Sequence, residues 1–339
     1  MAQLNVEYLG LALKNPLIAG ACKLTSNLDK LKQIEEAGAG AVVIKSIFEE
    51  EIQLERFKFD EDNERFDNLH PEMVNIFPQG IEHGGPEEHL MWTRKAKEAL
   101  SIPVIGSLNA VEKESWFEYA AKLEQTGVDA LEINFYSVPT QFGSSAESIE
   151  NDQIAIAAEI VKQVKLPVSV KLSPYYTNPL NIITRLSQVG PKGFVLFNRL
   201  FQPAIDIDEE KNIFPFNLSS PGDIRLPLRF TGLLYGQTSA DICSSTGIYS
   251  GKEALSFLLA GATCFQVVSA MYTKGIKHIG AIINDIQEWM SRKEYATIDE
   301  FRGKLSRSKS NDPWIYTRAQ YASMLLHSDE IISNSDLAA

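Results

Sequence analysis

A repeated phrase constrains this chain more than any other feature. A glycine closes a helical stretch, a few residues pass, an apolar run follows, and the run ends in polar residues. Gly38 leads through Ala41-Val42-Val43-Ile44 to Lys45 and Ser46, and Gly127 through Ala130-Leu131-Glu132-Ile133 to Asn134. Gly190 leads through Gly193-Phe194-Val195-Leu196-Phe197 to Asn198, and Gly261 through Phe265-Gln266-Val267-Val268 to Ser269. A glycine in this place suits a left-handed helix cap, and a short apolar run suits a parallel strand covered on both faces. Runs at 16–19, 103–107, 167–172 and 240–244 fill the gaps and bring the strands to eight. Helices are predicted over 27–37, with Ser26 as the cap, and over 87–100, 114–126, 146–165, 180–189, 252–260 and 274–292. Strands alternating with helices predict a parallel sheet with helices outside. Eight such units favour closure into a (β/α)8 TIM barrel. The rival is an open doubly wound sheet, whose glycine-rich turn after strand one is not matched by Ala19-Gly20-Ala21-Cys22.

The chain has 339 residues, more than the roughly 250 of an undecorated barrel. The expected layout is a barrel over 1–295, a helical C-terminal extension over 296–330 packed on it, and a disordered tail over 331–339. An acidic insertion after strand two, 48–85, carries Glu49-Glu50-Glu51 and Asp60-Glu61-Asp62. Its charges read as a solvated surface and its length as a lid over the barrel mouth. The Pro- and Phe-rich segment 200–227 is expected over the same mouth. A net charge of −12 argues against a nucleic-acid partner. Cys22, Cys243 and Cys264 are too few for a disulfide framework and suit buried thiols in a reducing compartment. The first residues lack a basic stretch leading into an apolar core, and no apolar run is long enough to span a bilayer. The expectation is a soluble cytoplasmic protein with no membrane partner.

In a β/α barrel the chemistry lies at the carboxyl ends of the strands. Here those ends present Lys45, Ser46, Ser107, Asn109, Asn134, Lys171, Asn198, Ser244, Thr246 and Ser269. A lysine ending a buried strand needs its charge satisfied. Glu132, a loop carboxylate or an anionic ligand could do so, and two such lysines together favour a ligand. No metal-ligand spacing and no Ser-His-Asp arrangement is visible. His70, His83 and His89 read as exposed loop residues near the insertion. The pattern points away from hydrolysis and toward a cofactor that carries the chemistry. Ser244-Ser245-Thr246-Gly247-Ile248 and Val268-Ser269-Ala270 end strands seven and eight, where barrels commonly hold a phosphate. A serine-rich turn before a helix is also an ordinary N-cap.

An ordered set of motifs then resembles a known family. From about Leu9 to Leu305 come Asn15-Pro16 with Ala19-Gly20, Val43-Ile44-Lys45-Ser46, Glu132-Ile133-Asn134, Val170-Lys171-Leu172-Ser173-Pro174-Tyr175 and Asn198. Thr246-Gly247-Ile248, Leu258-Leu259-Ala260-Gly261-Ala262-Thr263 and Phe301-Arg302-Gly303-Lys304-Leu305 follow. In this order they resemble the dihydroorotate dehydrogenases, FMN-binding barrels of pyrimidine synthesis. The resemblance implies oxidation of a CH–CH bond in dihydroorotate or a close analogue. It implies FMN contacts from Ala19, Gly20, Lys45, Ser46, Asn109, Asn134, Lys171, Thr246, Gly247, Ser269 and Ala270, with Lys171 offsetting charge on the reduced ring. Lys45, Asn75, Asn134, Asn198 and Arg199 are the implied substrate contacts.

Ser137, three residues after Asn134, stands at the family's catalytic base. Val138-Pro139 follows where the family has Pro-Asn, Met73 stands for the first asparagine of its lid motif, and Arg199 replaces a serine. Losing amide hydrogen bonds can change a substrate, and Arg199 could grip a carboxylate. Three other readings stay open: a flavin reductase for another dihydropyrimidine or alkene, a flavin electron-transfer subunit that does not use orotate, and a flavin-free lyase using Lys171. The resemblance leaves the electron acceptor unknown, with a partner protein as one candidate. Barrel relatives suggest a homodimer. No metal is implied.

Overall fold

The computed structural model describes residues 2–48, 50, 53, 86–110, 112–136, 140–200, 202–216 and 218–326. It opens with a hairpin that the sequence pattern did not reveal. β1 (Val6–Tyr8) pairs antiparallel with β2 (Leu11–Leu13) across a Leu9-Gly10 turn in which both residues have positive φ. The barrel then uses β3 (Leu17–Ala19) and β4 (Ala41–Val43). A short β5 (Ile47–Phe48) is followed by β6 (Val104–Asn109), β7 (Ala130–Asn134), β8 (Val168–Leu172) and β9 (Gly193–Leu196). A second hairpin, β10 (Ala204–Asp206) with β11 (Lys211–Ile213), precedes β12 (Asp241–Ser245) and β13 (Cys264–Val267). Parallel pairing runs β3–β4–β6–β7–β8–β9–β12–β13 and returns from β13 to β3, which closes the ring. β5 pairs onto the end of β6. All eight expected strands form, and the fold is the expected (β/α)8 barrel.

The helices are α1 (Leu28–Glu36), α2 (Pro86–Ala99), α3 (Lys113–Glu124), α4 (Ala146–Gln163), α5 (Pro179–Ser187), α6 (Arg225–Leu234) and α7 (Gly251–Ala260). α8 (Ser269–Lys274), α9 (His278–Arg292) and α10 (Ala319–Leu326) complete those among the described residues. The four repeat glycines, Gly38, Gly127, Gly190 and Gly261, all have φ between +85° and +121°, the backbone state their place in the phrase demands. Three expectations are corrected. The cap of α1 is Asn27, whose side chain accepts from Lys30 N, and not Ser26. The helix expected over 274–292 begins only at His278, and Gly275 at φ +83° separates it from α8, a short helix that was not expected. α6 was not expected: it starts at the end of the Pro-rich segment 200–227 and runs on through residues given no element, and it tolerates Pro227 because that residue falls in its first turn, where no intrahelical N–H is needed.

Alternate residues of each strand face opposite ways, and this separates two cores. Ile18, Ala41, Val43, Ile105, Ala130, Val195, Cys243 and Cys264 meet Tyr8, Leu9 and Leu13 inside the barrel. The hairpin therefore plugs the base. Leu17, Val42, Val104, Leu131, Ile133, Val170, Phe194 and Phe265 face the helices in the larger outer core. At the base Asp241 accepts from Leu9 N (2.8 Å) and from Thr263 Oγ1 (3.1 Å). Burial pushes its carboxyl up, while those hydrogen bonds and Arg302 pull the other way. Cys243 and Cys264 are buried as expected, whereas Cys22 is only half-buried.

The insertion expected to form a lid, with Met73 and Asn75, lies outside the described residues beyond Phe48, Glu50 and Gln53, as does the tail 331–339. Residues 301–307 hold to the barrel through buried Phe301 and through Gly303 N, Leu305 N and Arg307 N, which donate to Leu258 O (3.0 Å), Leu259 O (2.9 Å) and Gly232 O (2.9 Å). α10 leaves Tyr321, Met324, Leu325 and Leu326 exposed.

Candidate functional site

Two residues further along β6, β7, β8, β12 and β13, the inward positions of the barrel turn polar. Ile105 gives way to Ser107 and Asn109, Ala130 to Glu132 and Asn134, Cys243 to Ser245, and Cys264 to Gln266. Lys171 follows Ser169 in the same way. All of these are buried, and a buried polar group needs a partner. The partners they find define the site.

On the floor of the mouth Lys171 Nζ donates to Gln266 Oε1 at 2.9 Å and stands 3.6 Å from Glu132 Oε1. Gln266 Nε2 in turn donates to Glu132 Oε2. Glu132 is fully buried, and its Oε1 accepts no hydrogen bond among the described residues. Asn134 is the register partner of Lys171 on the neighbouring strand and accepts from Asn198 Nδ2 at 3.0 Å.

One cleft runs from this floor to the ends of β12 and β13. Lys171, Gln266, Asn198 and Arg199 line one part, and Ser219, Thr246, Gly247 and Ser269 the other. Arg199 reaches Asp223 Oδ2 at 2.8 Å, which fixes its guanidinium at the rim. Thr246 and Gly247 have φ of +83° and +79° in succession. That state costs a β-branched threonine of order 1–3 kcal/mol and marks a turn held for a purpose. A Cβ on Gly247 would lie 2.7–2.8 Å from Ile224 Cγ2, Ile224 N and Ser220 O, so the turn can pass that segment only as glycine. Ser219 ties the two strand ends together. Its Oγ accepts from Gly247 N (3.1 Å) and donates to Ser269 Oγ (2.8 Å), while its N also donates to Ser269 Oγ (3.1 Å).

Other expected residues lie elsewhere around the mouth. Ser46 Oγ meets Ser107 Oγ at 2.7 Å. Lys45 Nζ sits 5.5 Å from the centroid of the Phe48 ring, and its carbonyl accepts from His89 Nε2 at 2.7 Å. His89 is therefore a half-buried residue of α2 that steadies the end of strand two, not an exposed loop histidine. Asn109 ends β6, buried. Ala19 and Ala270 direct their side chains into the outer core, which leaves only their backbone for a ligand. Ser244 turns outward to Thr231 of α6. Ser137, Val138 and Pro139 lie outside the described residues. Sequence reasoning missed Gln266 and Ser219. Gln266 was hidden inside an apolar run, although a strand parity count places it one step above Cys264.

Among the described residues no group of His, Cys, Asp and Glu could hold a metal ion, and no helix is long and apolar enough to cross a membrane.

A family model described as dihydroorotate dehydrogenase matches residues 3–290. A relative from Methanocaldococcus jannaschii, named dihydroorotate dehydrogenase B (NAD(+)), catalytic subunit, is 27% identical over 313 residues, covering 88% of this chain and 97% of its own. One of the same name from Thermoplasma volcanium is 29% identical over 312 residues, covering 89% and 98%. A relative from Aeropyrum pernix with a name of the A (fumarate) type is 26% identical over 313 residues, covering 90% and 98%.

Proposed function

On the premise that this chain belongs to the dihydroorotate dehydrogenase family, we propose that it is an FMN-dependent oxidoreductase that converts dihydroorotate, or a close analogue, to orotate. The observation that carries this reading is the single cleft joining a buried ammonium, Lys171, to the hydroxyl and amide groups of Ser219, Gly247 and Ser269. Its polar lining is rich in donors, which suits a long ligand with an acceptor-rich ring at one end and a phosphate at the other. FMN is such a molecule. The Gly247 N–H is already engaged by Ser219 Oγ, so a phosphate there would take over that bond or accept from the serine hydroxyls.

Lys171 would hold the ring and offset negative charge on it. Thr246, Gly247, Ser269 and Ser219 would hold the phosphate, with Gly20 and Ala270 offering backbone and Lys45, Ser46 and Asn109 the far wall. Asn134 and Asn198, already bonded to each other, would orient the substrate together with Lys45, Asn75 and Arg199. Arg199, braced by Asp223, suits a carboxylate. In the reaction the substrate loses a proton from C5 and a hydrogen with its bonding electrons from C6, and a C=C bond forms. Bound FMN supplies the acceptor for the pair of electrons leaving C6. Ser137, three residues beyond Asn134, is the proposed base for the C5 proton. The electrons then leave to an acceptor outside this chain, and the catalytic-subunit names of the relatives support a partner protein in that role.

The test is the purified protein mixed with FMN, with bound flavin counted per chain and its reduction by dihydroorotate followed. One flavin per chain and a drop of about 10²–10⁴ in reduction rate for Ser137→Ala are expected. A chain that takes up no FMN overturns the reading, and a normal rate in Ser137→Ala retires that residue as base.

A further inference from the structure

The buried carboxylate beneath Lys171 has no part in the chemistry above, yet its surroundings are specific. Lysine has only hydrogens to donate and an ionised glutamate only oxygens to accept. Gln266, placed between them, is forced into one orientation, with Oε1 toward Lys171 and Nε2 toward Glu132. The flexible lysine stem is thereby tethered at 2.9 Å, with Glu132 Oε1 at 3.6 Å. Burying such a pair is costly, and well-packed apolar residues of the same volume are often as stable or more so. The cost is raised here because Glu132 Oε1 accepts no hydrogen bond among the described residues. Ser107 and Ser169, the register partners of Glu132 on both neighbouring strands, carry no charge. Glu132 is therefore the negative charge directly beside Lys171.

We infer that Glu132 is a positioning residue that acts through Lys171. By way of Gln266 it fixes the ammonium at the floor of the cleft, and its charge restrains the preference of the site for reduced over oxidised flavin. The inference rests on the FMN reading. Two electrons and one proton taken up by the flavin leave the ring with one added negative charge. Lys171 favours that charge, and Glu132 lessens the effect by holding the ammonium, with Gln266, toward the floor and away from the ring; without Lys171 there is no ammonium for it to hold. No bond to Glu132 forms or breaks.

The test is dye-equilibrated reduction of the FMN-loaded protein by dithionite, comparing wild type, Glu132→Gln, Lys171→Met and the double variant. Glu132→Gln is expected to raise the ratio of affinities for reduced and oxidised flavin about tenfold, a rise of about 30 mV in the two-electron potential. In the Lys171→Met background the same substitution is expected to have a much smaller effect. An unchanged potential in Glu132→Gln, or an equal shift in both backgrounds, overturns the inference. Gln266→Leu cuts the tether and keeps both charges, and is expected to weaken FMN binding several-fold. If Glu132→Gln does not fold, unchanged binding in Gln266→Leu overturns the inference instead. Wild-type protein that binds no FMN overturns the cofactor reading, a result distinct from FMN-loaded protein whose potential ignores Glu132.

Discussion

The base and the mouth of the barrel interior are built from the same strands with the same inward parity, and they differ in almost every other respect. At the base Ile18, Val43, Ile105, Val195 and the plug residues Tyr8, Leu9 and Leu13 pack as hydrocarbon. One inward step higher, roughly 6.5 Å along a strand, stand Ser107, Glu132, Lys171, Ser245 and Gln266. The base closes the barrel and contributes stability. The mouth holds buried polar groups that cost stability unless satisfied, and it arranges them around a cleft. Stability and, on the proposed function, chemistry are thus divided along the strand axis, not among different elements.

That division can be broken by substitution. The largest effect is expected where the two halves meet. Lys171→Met leaves Glu132 buried without its counter-charge, a loss of about 3–5 kcal/mol, and it should also weaken FMN binding, so that the variant is loaded only at excess FMN. Denaturant unfolding and flavin content check both. A variant that keeps wild-type stability would show that the ion pair contributes little. Leu13→Ala removes a fully buried plug residue and should cost about 2–5 kcal/mol while the flavin affinity of the folded protein holds. An equal loss of affinity would mean that base and mouth are not separable.

A smaller effect concerns pH. Burial raises the Asp241 carboxyl, so the folded protein binds that proton more tightly than the unfolded chain, where the pKa is about 3.9. The contribution is fullest below that value and is lost as pH rises through the raised native one. Asp241→Asn should therefore show a melting temperature that changes less between about pH 4 and about pH 7 than wild type. A parallel profile would contradict the assignment. The smallest effect is expected for Tyr8→Phe. The Tyr8 hydroxyl is buried close to Ser169 but makes no hydrogen bond among the described residues, so removing it should change stability by less than about 1 kcal/mol, or raise it. A loss of several kcal/mol would mean that the hydroxyl is satisfied in solution.

The barrel was legible because its strands are uninterrupted and its glycines mark positive φ. Strand ends could be named from the polar residue that stops each run. Elements that are short, or whose pattern prolines or a glycine interrupt, were not legible. The β1–β2 hairpin has three residues in each strand, and its turn begins with Leu9, which announces no positive φ. α6 was masked by Pro221 and Pro227, and the break at Gly275 by the helical pattern on either side. At the site the same limit applies. Lys171 and Asn134 end their runs, whereas Gln266 sits within one, and only the alternation of small or polar with large residues along 264–267 shows that it faces inward. Ser219 reaches the cleft from an irregular segment whose path depends on β12 and α8, so nothing local in sequence placed it. Ser137 and Asn75 rest on the resemblance alone.

Anaerobic titration of the FMN-loaded protein with dihydroorotate, with the flavin absorbance followed, tests the proposed reaction. The oxidised flavin band is expected to bleach as dihydroorotate is added, with about one equivalent of orotate formed per flavin. A flavin that stays oxidised through the titration, yet is bleached by dithionite, would contradict dihydroorotate as the substrate and turn attention to Met73, Val138, Pro139 and Arg199.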